Sequence, residues 1–264
     1  MKNLIQIEYE ESKKKMFETW KRNNDGLELV KLTRDNVAIA EAMIRNDSAY
    51  IRSGDKNYEG STAHCMTLLK EVLIDKKQVS KEGYRELLKN AIDAVDRENS
   101  TRLNSDHVGP KEILDRLYNF EDNELVNCLM KPVETEYKLF KIIAEKTDPR
   151  ENSPSGNPYK GRTNISFASK FCHYACFYFF EDEEYEDYQD NYSIYDRVLK
   201  KVIPIYVEAY GLDKKAYKVK DKDYEAYQKT IDAIREAAFN QGKEYISRNG
   251  LDHLLWYYHK GRLG

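Results

Sequence analysis

The sequence predicts an all-α protein, and three features of its 264 residues favour that fold class. Proline is rare, with six residues, and glycine is modest, with twelve, so few positions interrupt a helix. Valine and isoleucine seldom alternate with polar residues, which leaves the signals for β-strands weak. Apolar residues instead recur at the spacing of helices that pack one face against a core.

Two helices are predicted in the N-terminal half. Residues 80–99, "SKEGYRELLKNAIDAVDREN", begin with Ser80 as a cap and carry Glu82 in the first turn, where an acid suits the helix dipole. Residues 109–120, "GPKEILDRLYNF", place Pro110 near a helix start, where its missing N–H costs least. Both segments therefore have a defined beginning as well as an apolar face.

Two more helices are predicted in the C-terminal half. Residues 164–180, "NISFASKFCHYACFYFF", form the most apolar stretch of the chain, with Asn164 or Ser166 as its cap. Residues 223–239, "DYEAYQKTIDAIREAAF", have a clear apolar periodicity. The apolar positions of that segment are Tyr224, Tyr227, Ile231, Ile234 and Ala238.

The segment 147–164, "TDPRENSPSGNPYKGRTN", concentrates proline, glycine, asparagine and serine, and predicts a loop or linker. It divides the chain into a helical N-terminal region, residues 1–148, and a helical C-terminal region, residues 149–264. A candidate site is predicted in a groove between the two regions. A second break, residues 210–223, is a basic connector.

The amount and distribution of charge do not exclude binding to nucleic acid. The formal net charge is −3, whereas a chain that only clamps nucleic acid is usually basic. Residues 181–190 hold seven acids, but residues 197–222 hold eight Lys or Arg against three acids, so a local basic face is available. No apolar run reaches the roughly 18 residues of a membrane span, and no signal peptide is evident, so we expect a soluble cytoplasmic protein without a membrane partner.

The cysteines predict buried free thiols. Cys65, Cys128, Cys172 and Cys176 are too few and too scattered for a disulfide framework. Cys172 and Cys176 lie four apart with His173 between them, which leaves a metal site as the alternative. Such a site needs two further ligands that nothing in the sequence indicates.

Lys170 lies at the edge of the apolar stretch and has two possible roles. Its stem can be buried while the amine reaches water, or the amine can act as a nucleophile in a pocket. Asp196, in "YSIYDRVLKKV", likewise has two: it caps the helix that follows, or it is a catalytic carboxylate at a helix N-terminus.

The phrases "ISFASKF", "YSIYDRVLKKV" and "GLDHLLWYYHKG" together resemble bacterial proteins with an 8-oxoguanine DNA glycosylase fold, in the helix-hairpin-helix glycosylase superfamily. The resemblance covers roughly residues 160–264. It implies an all-α fold of two helical subdomains with a groove between them. A hairpin in the C-terminal region would hold DNA phosphates, and the site would act on or recognise a flipped base in a duplex.

The resemblance also implies roles for individual residues. Lys170 matches the lysine that forms a Schiff base in members with lyase activity, and Asp196 matches their aspartate. No metal or organic cofactor is implied. The implied contacts to nucleic acid are Lys160, Arg162, Arg197, Lys200 and Lys201, and the candidates for base stacking, with core packing as their alternative, are Tyr174, Phe177 and Tyr195.

Two alternatives stay open. The first is a glycosylase-fold module without catalysis, which senses modified DNA, a nucleotide or a protein partner, for example in bacterial anti-phage defence. It is favoured by a hairpin with one glycine, Gly161, and by the acidic run at 181–190. The second is a structural helical adaptor, favoured by the amphipathic helices and the lack of a strong motif.

Overall fold

The computed structural model describes residues 16–22, 26–46, 48–99, 101, 103, 109–147, 161–219 and 223–260. These residues are mostly helical, which confirms the predicted all-α class, and their strands form one two-stranded sheet that the sequence did not predict. None of the helices in this part of the chain is long and apolar enough to cross a lipid bilayer.

The strands and α-helices, in chain order, are β1 (Thr19–Arg22), β2 (Glu28–Val30), α1 (Arg34–Arg45), α2 (Ser48–Ser53), α3 (Thr62–Leu73), α4 (Lys81–Asn99), α5 (Gly109–Tyr118), α6 (Asp122–Met130), α7 (Lys138–Ala144), α8 (Ile165–Phe179), α9 (Arg197–Ala209), α10 (Tyr224–Gly242) and α11 (Arg248–His259). A 3-10 helix, Glu183–Tyr188, lies between α8 and α9.

The four predicted helices correspond to α4, α5, α8 and α10. Ser80 caps the start of α4, because its hydroxyl oxygen accepts a hydrogen bond from the amide of Gly83 at 3.0 Å. Asn164 occupies the N-cap position of α8, but its side chain makes no capping hydrogen bond. Of the predicted loop 147–164, residues 148–160 lie outside the described part of the chain.

The chain divides into two compact units. Unit 1 combines residues 1–47 with residues 196–264, so it contains the sheet, α1 and α9 to α11, and unit 2 is residues 48–195 with α2 to α8. The boundary predicted between residues 148 and 149 falls inside unit 2. The physical reason is that α7 and α8, which flank the predicted linker, pack against each other.

Helix α8 is the central element of unit 2. It packs against α3, α4, α6 and α7, and eleven of its fifteen residues are buried. Phe167, Phe171 and Phe179 are almost completely buried in the core that results. Burial of an aromatic side chain of this size contributes about 1.5–3 kcal/mol, so α8 anchors the unit.

Unit 1 joins the two ends of the described chain. Helix α11 packs closely on α1 at Gly250, where a Cβ atom would lie 2.9 Å from Cγ1 of Val37. The antiparallel sheet is bonded to α9 at Val30 of β2. The Tyr206 hydroxyl accepts a hydrogen bond from the Val30 amide at 2.9 Å and donates one to the Val30 carbonyl at 3.1 Å. His259 Nε2 lies 3.2 Å from the same hydroxyl. The phenol thus satisfies both the amide and the carbonyl of Val30.

Candidate functional site

One stripe of α8 reaches the surface of unit 2. Ser166, Lys170 and Tyr174 are half-buried and Phe177 is 40% exposed, whereas every other residue of the helix is buried. These four residues follow one another at intervals of four, four and three, which places them on one face of a helix. The structure therefore brings together the predicted nucleophile and two of the three predicted base-stacking residues.

Lys170 and Tyr174 both contact Asn99, the last residue of α4. The Lys170 amine donates to the Asn99 carbonyl at 3.1 Å, and the Tyr174 hydroxyl donates to Asn99 Oδ1 at 2.9 Å. The ring of Tyr174 also stacks on that of Tyr178, with a centroid distance of 6.5 Å. The end of α4 thus holds both the Lys170 amine and the Tyr174 hydroxyl.

The last turn of α4, Asp96–Asn99, fastens several segments of unit 2, and sequence reasoning missed it. Each of the four consecutive residues makes a hydrogen bond to a residue outside α4. Asp96 Oδ1 accepts from Leu103 N at 2.8 Å, Arg97 donates to Gly60 O, Glu98 Oε2 accepts from Thr62 N at 2.9 Å, and Asn99 accepts from Lys170 and Tyr174. The only signal in the sequence is a run of four polar residues at the end of a predicted helix.

The segment before α8 returns to the end of α7. Arg162 and Thr147 exchange two hydrogen bonds, from Thr147 N to Arg162 O and from Arg162 N to Thr147 Oγ1, each 3.1 Å. Gly161 has a φ of +70°, and a Cβ atom there would lie 2.1 Å from Thr147 O, so only glycine fits. This turn sets Arg162 just ahead of α8, and Lys160 lies outside the described residues.

Asp196 begins α9 in unit 1. Its Oδ1 accepts from Leu199 N at 2.8 Å, so the carboxylate caps the helix. Arg197 and Lys201 are exposed and Lys200 is half-buried, which gives the first two turns of α9 a positive surface. Asp196 and these basic residues belong to unit 1, whereas the α8 stripe belongs to unit 2.

Tyr195 is packed in unit 2. Only 7% of its surface is exposed, and its amide donates to Ser169 Oγ of α8 at 2.9 Å. This position matches core packing, the alternative given for the predicted base-stacking residues. A ligand has less access to this ring than to that of Phe177.

The acidic run is held to unit 2 at its start. Lys56, between α2 and α3, pairs with Glu181, and the Lys70 amine of α3 lies 2.8 Å from Asp182 Oδ2. The rings of two tyrosines in the run pack against Phe180. The acids of the 3-10 helix that remain exposed are Glu183, Glu184, Glu186 and Asp187.

All four cysteines are buried and free, which confirms the prediction for them. Burial raises the pKa of the Cys172 and Cys176 thiols well above the ordinary value, so thiolates are disfavoured there. Among the residues that the structure describes, no group of three or more His, Cys, Asp or Glu side chains is arranged to hold a metal ion.

In comparisons with known proteins, no family model, no curated protein and no solved structure matches this chain. The glycosylase resemblance therefore stays a prediction.

Proposed function

We propose that this chain binds duplex DNA and acts on or recognises a modified base in the manner of a DNA glycosylase. The observation that carries the proposal is the α8 stripe, in which half-buried Lys170 and Tyr174 lie on one face of the helix with exposed Phe177. A primary amine is a nucleophile for a sugar carbon, and an aromatic ring that solvent reaches is a surface on which an extruded base stacks. The α8 stripe thus contains both an amine for attack on the sugar and an aromatic surface for the base.

Two further features support the proposal. The glycine-dependent turn before α8 carries Arg162 beside a helix N-terminus, a setting that suits a phosphate group. Asp196 caps the next α-helix, α9, which is the position of the aspartate in the superfamily that the sequence resembles.

The chemistry follows from the amine. In its uncharged form, the Lys170 amine attacks C1′ of the deoxyribose, and the new N–C1′ bond forms as the glycosidic bond breaks. The base leaves with the electron pair of that bond and takes up a proton. The nitrogen then loses a proton and its lone pair forms a C=N bond as the C1′–O4′ bond breaks; O4′ takes up the proton, which gives a Schiff base between Lys170 and C1′ of the opened sugar. The resemblance assigns stabilisation of positive charge on the sugar to Asp196.

Borohydride trapping tests this mechanism, because the reagent reduces a Schiff base to a stable amine link between protein and DNA. Duplexes with 8-oxoguanine, uracil or an abasic site serve as probes. We expect Lys170→Ala to abolish the cross-linked band and Lys141→Ala, at an exposed lysine of α7 in the same unit, to retain it. A band that persists in Lys170→Ala would show that another amine is the nucleophile, and the absence of a band with every probe would contradict lyase activity.

Asp196→Asn separates the two roles of the aspartate. Asparagine caps helices about as well as aspartate, so α9 should keep its stability. The variant lacks the negative charge, and we expect at least a tenfold loss of cross-linking. Equal cross-linking in the variant and the wild type would leave Asp196 as a helix cap alone.

The second candidate function is DNA sensing without catalysis. It is favoured by the hydrogen bond from Lys170 to the Asn99 carbonyl, which gives the amine a structural role in the free protein. Such a module would recognise modified or foreign DNA, in line with the anti-phage role considered for it. Binding that weakens with salt but gives no borohydride cross-link would support this function over the lyase.

A further inference from the structure

Asn99 makes three side-chain and backbone contacts that fix its position. Its carbonyl accepts from the Lys170 amine at 3.1 Å, and its Oδ1 accepts from the Tyr174 hydroxyl at 2.9 Å. Its Nδ2 donates to the carbonyl of Val95, one turn earlier in α4, at 3.1 Å. The amide group is therefore held in one orientation, with its oxygen toward Tyr174.

We infer that Asn99 is a positioning residue for the α8 stripe, an inference that rests on the proposed function. Lysine is a flexible side chain with about 2 kcal/mol of rotamer entropy, so an unattached amine would have to be ordered when the ligand binds. Asn99 orders the Lys170 amine and the Tyr174 ring in advance, one helical turn apart. It presents nucleophile and stacking surface to the ligand at a fixed spacing.

The turn that carries Asn99 is itself held by hydrogen bonds. The three preceding residues of the last turn of α4 bind Leu103, Gly60 and Thr62, the last of which begins α3. A site is accurate only when the groups that hold its functional side chains are themselves held. The carbonyl of Asn99 also lies at the C-terminal end of a nineteen-residue helix, whose dipole helps to hold the Lys170 amine in its protonated form, so the amine must lose that proton before it attacks.

Chemical labelling of lysines tests the inference without DNA. The protein is exposed briefly to acetic anhydride over a range of pH, and mass spectrometry measures the acetylation rate of Lys170. Asn99→Asp keeps an acceptor for Tyr174 but adds a carboxylate close to the amine. The matched control is Asn90→Asp, which adds the same charge at an exposed position of α4, about 14 Å away along the helix.

We expect Asn99→Asp to slow acetylation of Lys170 about tenfold at pH 8 and to shift its pH profile upward, because a nearby anion favours the protonated, unreactive amine. Asn90→Asp should change the rate less than about twofold. Asn99→Ala should speed acetylation about threefold, because the bond to Val95 that holds the end of α4 is lost.

The rates at exposed Lys111 and Lys141 should stay constant in all variants, which distinguishes a local effect from general destabilisation. Equal Lys170 rates in Asn99→Asp, Asn99→Ala and Asn90→Asp would overturn the positioning role. If the wild type neither binds DNA nor gives a borohydride cross-link, the proposed function is overturned whatever the labelling shows. The inference that Asn99 positions a ligand site would then be overturned as well.

Discussion

Lys170 and Asp196 each make a hydrogen bond to the backbone at the end of a helix. Lys170 donates to the final carbonyl of α4, and Asp196 accepts from an amide in the first turn of α9. A positive group at a helix C-terminus and a negative group at an N-terminus both interact favourably with the helix dipole. These contacts orient the side chains, so structural and functional roles are compatible at both residues.

Glu41 of α1 provides a test of electrostatics within unit 1. Its carboxylate lies 3.6 Å from His253 Nδ1 of α11, and the interaction with that imidazole lowers the pKa of Glu41 below its ordinary value of 4.5. A lowered folded-state pKa gives a stability contribution that is present above pH 4.5 and is lost as the pH falls through the folded pKa. We expect Glu41→Gln to lack this contribution.

Urea unfolding followed by circular dichroism between pH 3.5 and pH 7 measures the effect. The free energy of unfolding of the wild type should exceed that of Glu41→Gln near pH 6, and the difference should shrink below about pH 4.5. Glu236→Gln, at an exposed position of α10, is the control. A difference between wild type and Glu41→Gln that is constant across this range would rule out the linkage.

At the level of elements, the approach to α8 depends on one glycine. Gly161 and Gly211 have nearly the same backbone conformation, with φ of +70° and +69°. A Cβ atom at Gly161 would meet the carbonyl oxygen of Thr147, whereas a Cβ atom at Gly211 would have nothing within 4 Å. The two positions therefore separate backbone strain from steric conflict.

We expect Gly211→Ala to cost about 1–2 kcal/mol of stability, because an L-residue is strained in the left-handed region. Gly161→Ala should cost at least about 2 kcal/mol more, since the turn must also move away from Thr147. Urea unfolding of both variants measures the difference. Similar costs for the two variants would show that the segment before α8 moves freely to admit a side chain.

For the whole molecule, the net charge of −3 requires any DNA contact to be local. The exposed acids of the 3-10 helix repel phosphate, so few phosphates can be neutralised. Each neutralised phosphate contributes a slope of about −0.9 to a plot of log affinity against log salt concentration. We therefore expect a shallow slope of about −1 to −3 for duplex DNA, in contrast to the steep slope of a basic DNA-binding domain.

Fluorescence anisotropy with a labelled duplex, measured between roughly 25 and 200 mM salt, gives this slope, because salt screens the attraction between protein and phosphate over that range. Arg162→Ala should reduce its magnitude by about 1, and Arg52→Ala, at an exposed arginine of α2 in the same unit, should leave it unchanged. Affinity that is independent of salt in the wild type would argue for a protein or nucleotide partner.

The sequence by itself determined the elements whose signals are local. The spacing of apolar residues and the capping serine predicted α4, α5, α8 and α10, because a helix depends on neighbours three and four positions away. Burial of the thiols followed from the chemistry of cysteine in a chain with few of them. The sheet was missed because strands of four and three residues are too short to show alternation.

Only the tertiary structure decided which face of α8 meets solvent. The helix is apolar nearly all round, so its hydropathy indicates no exposed side, and the structure buries Ser169 and His173 while it exposes Phe177. The role of Asn99 is likewise invisible in sequence, because it joins residues more than seventy positions apart. Contacts of that range depend on how helices pack against one another, which local patterns do not encode.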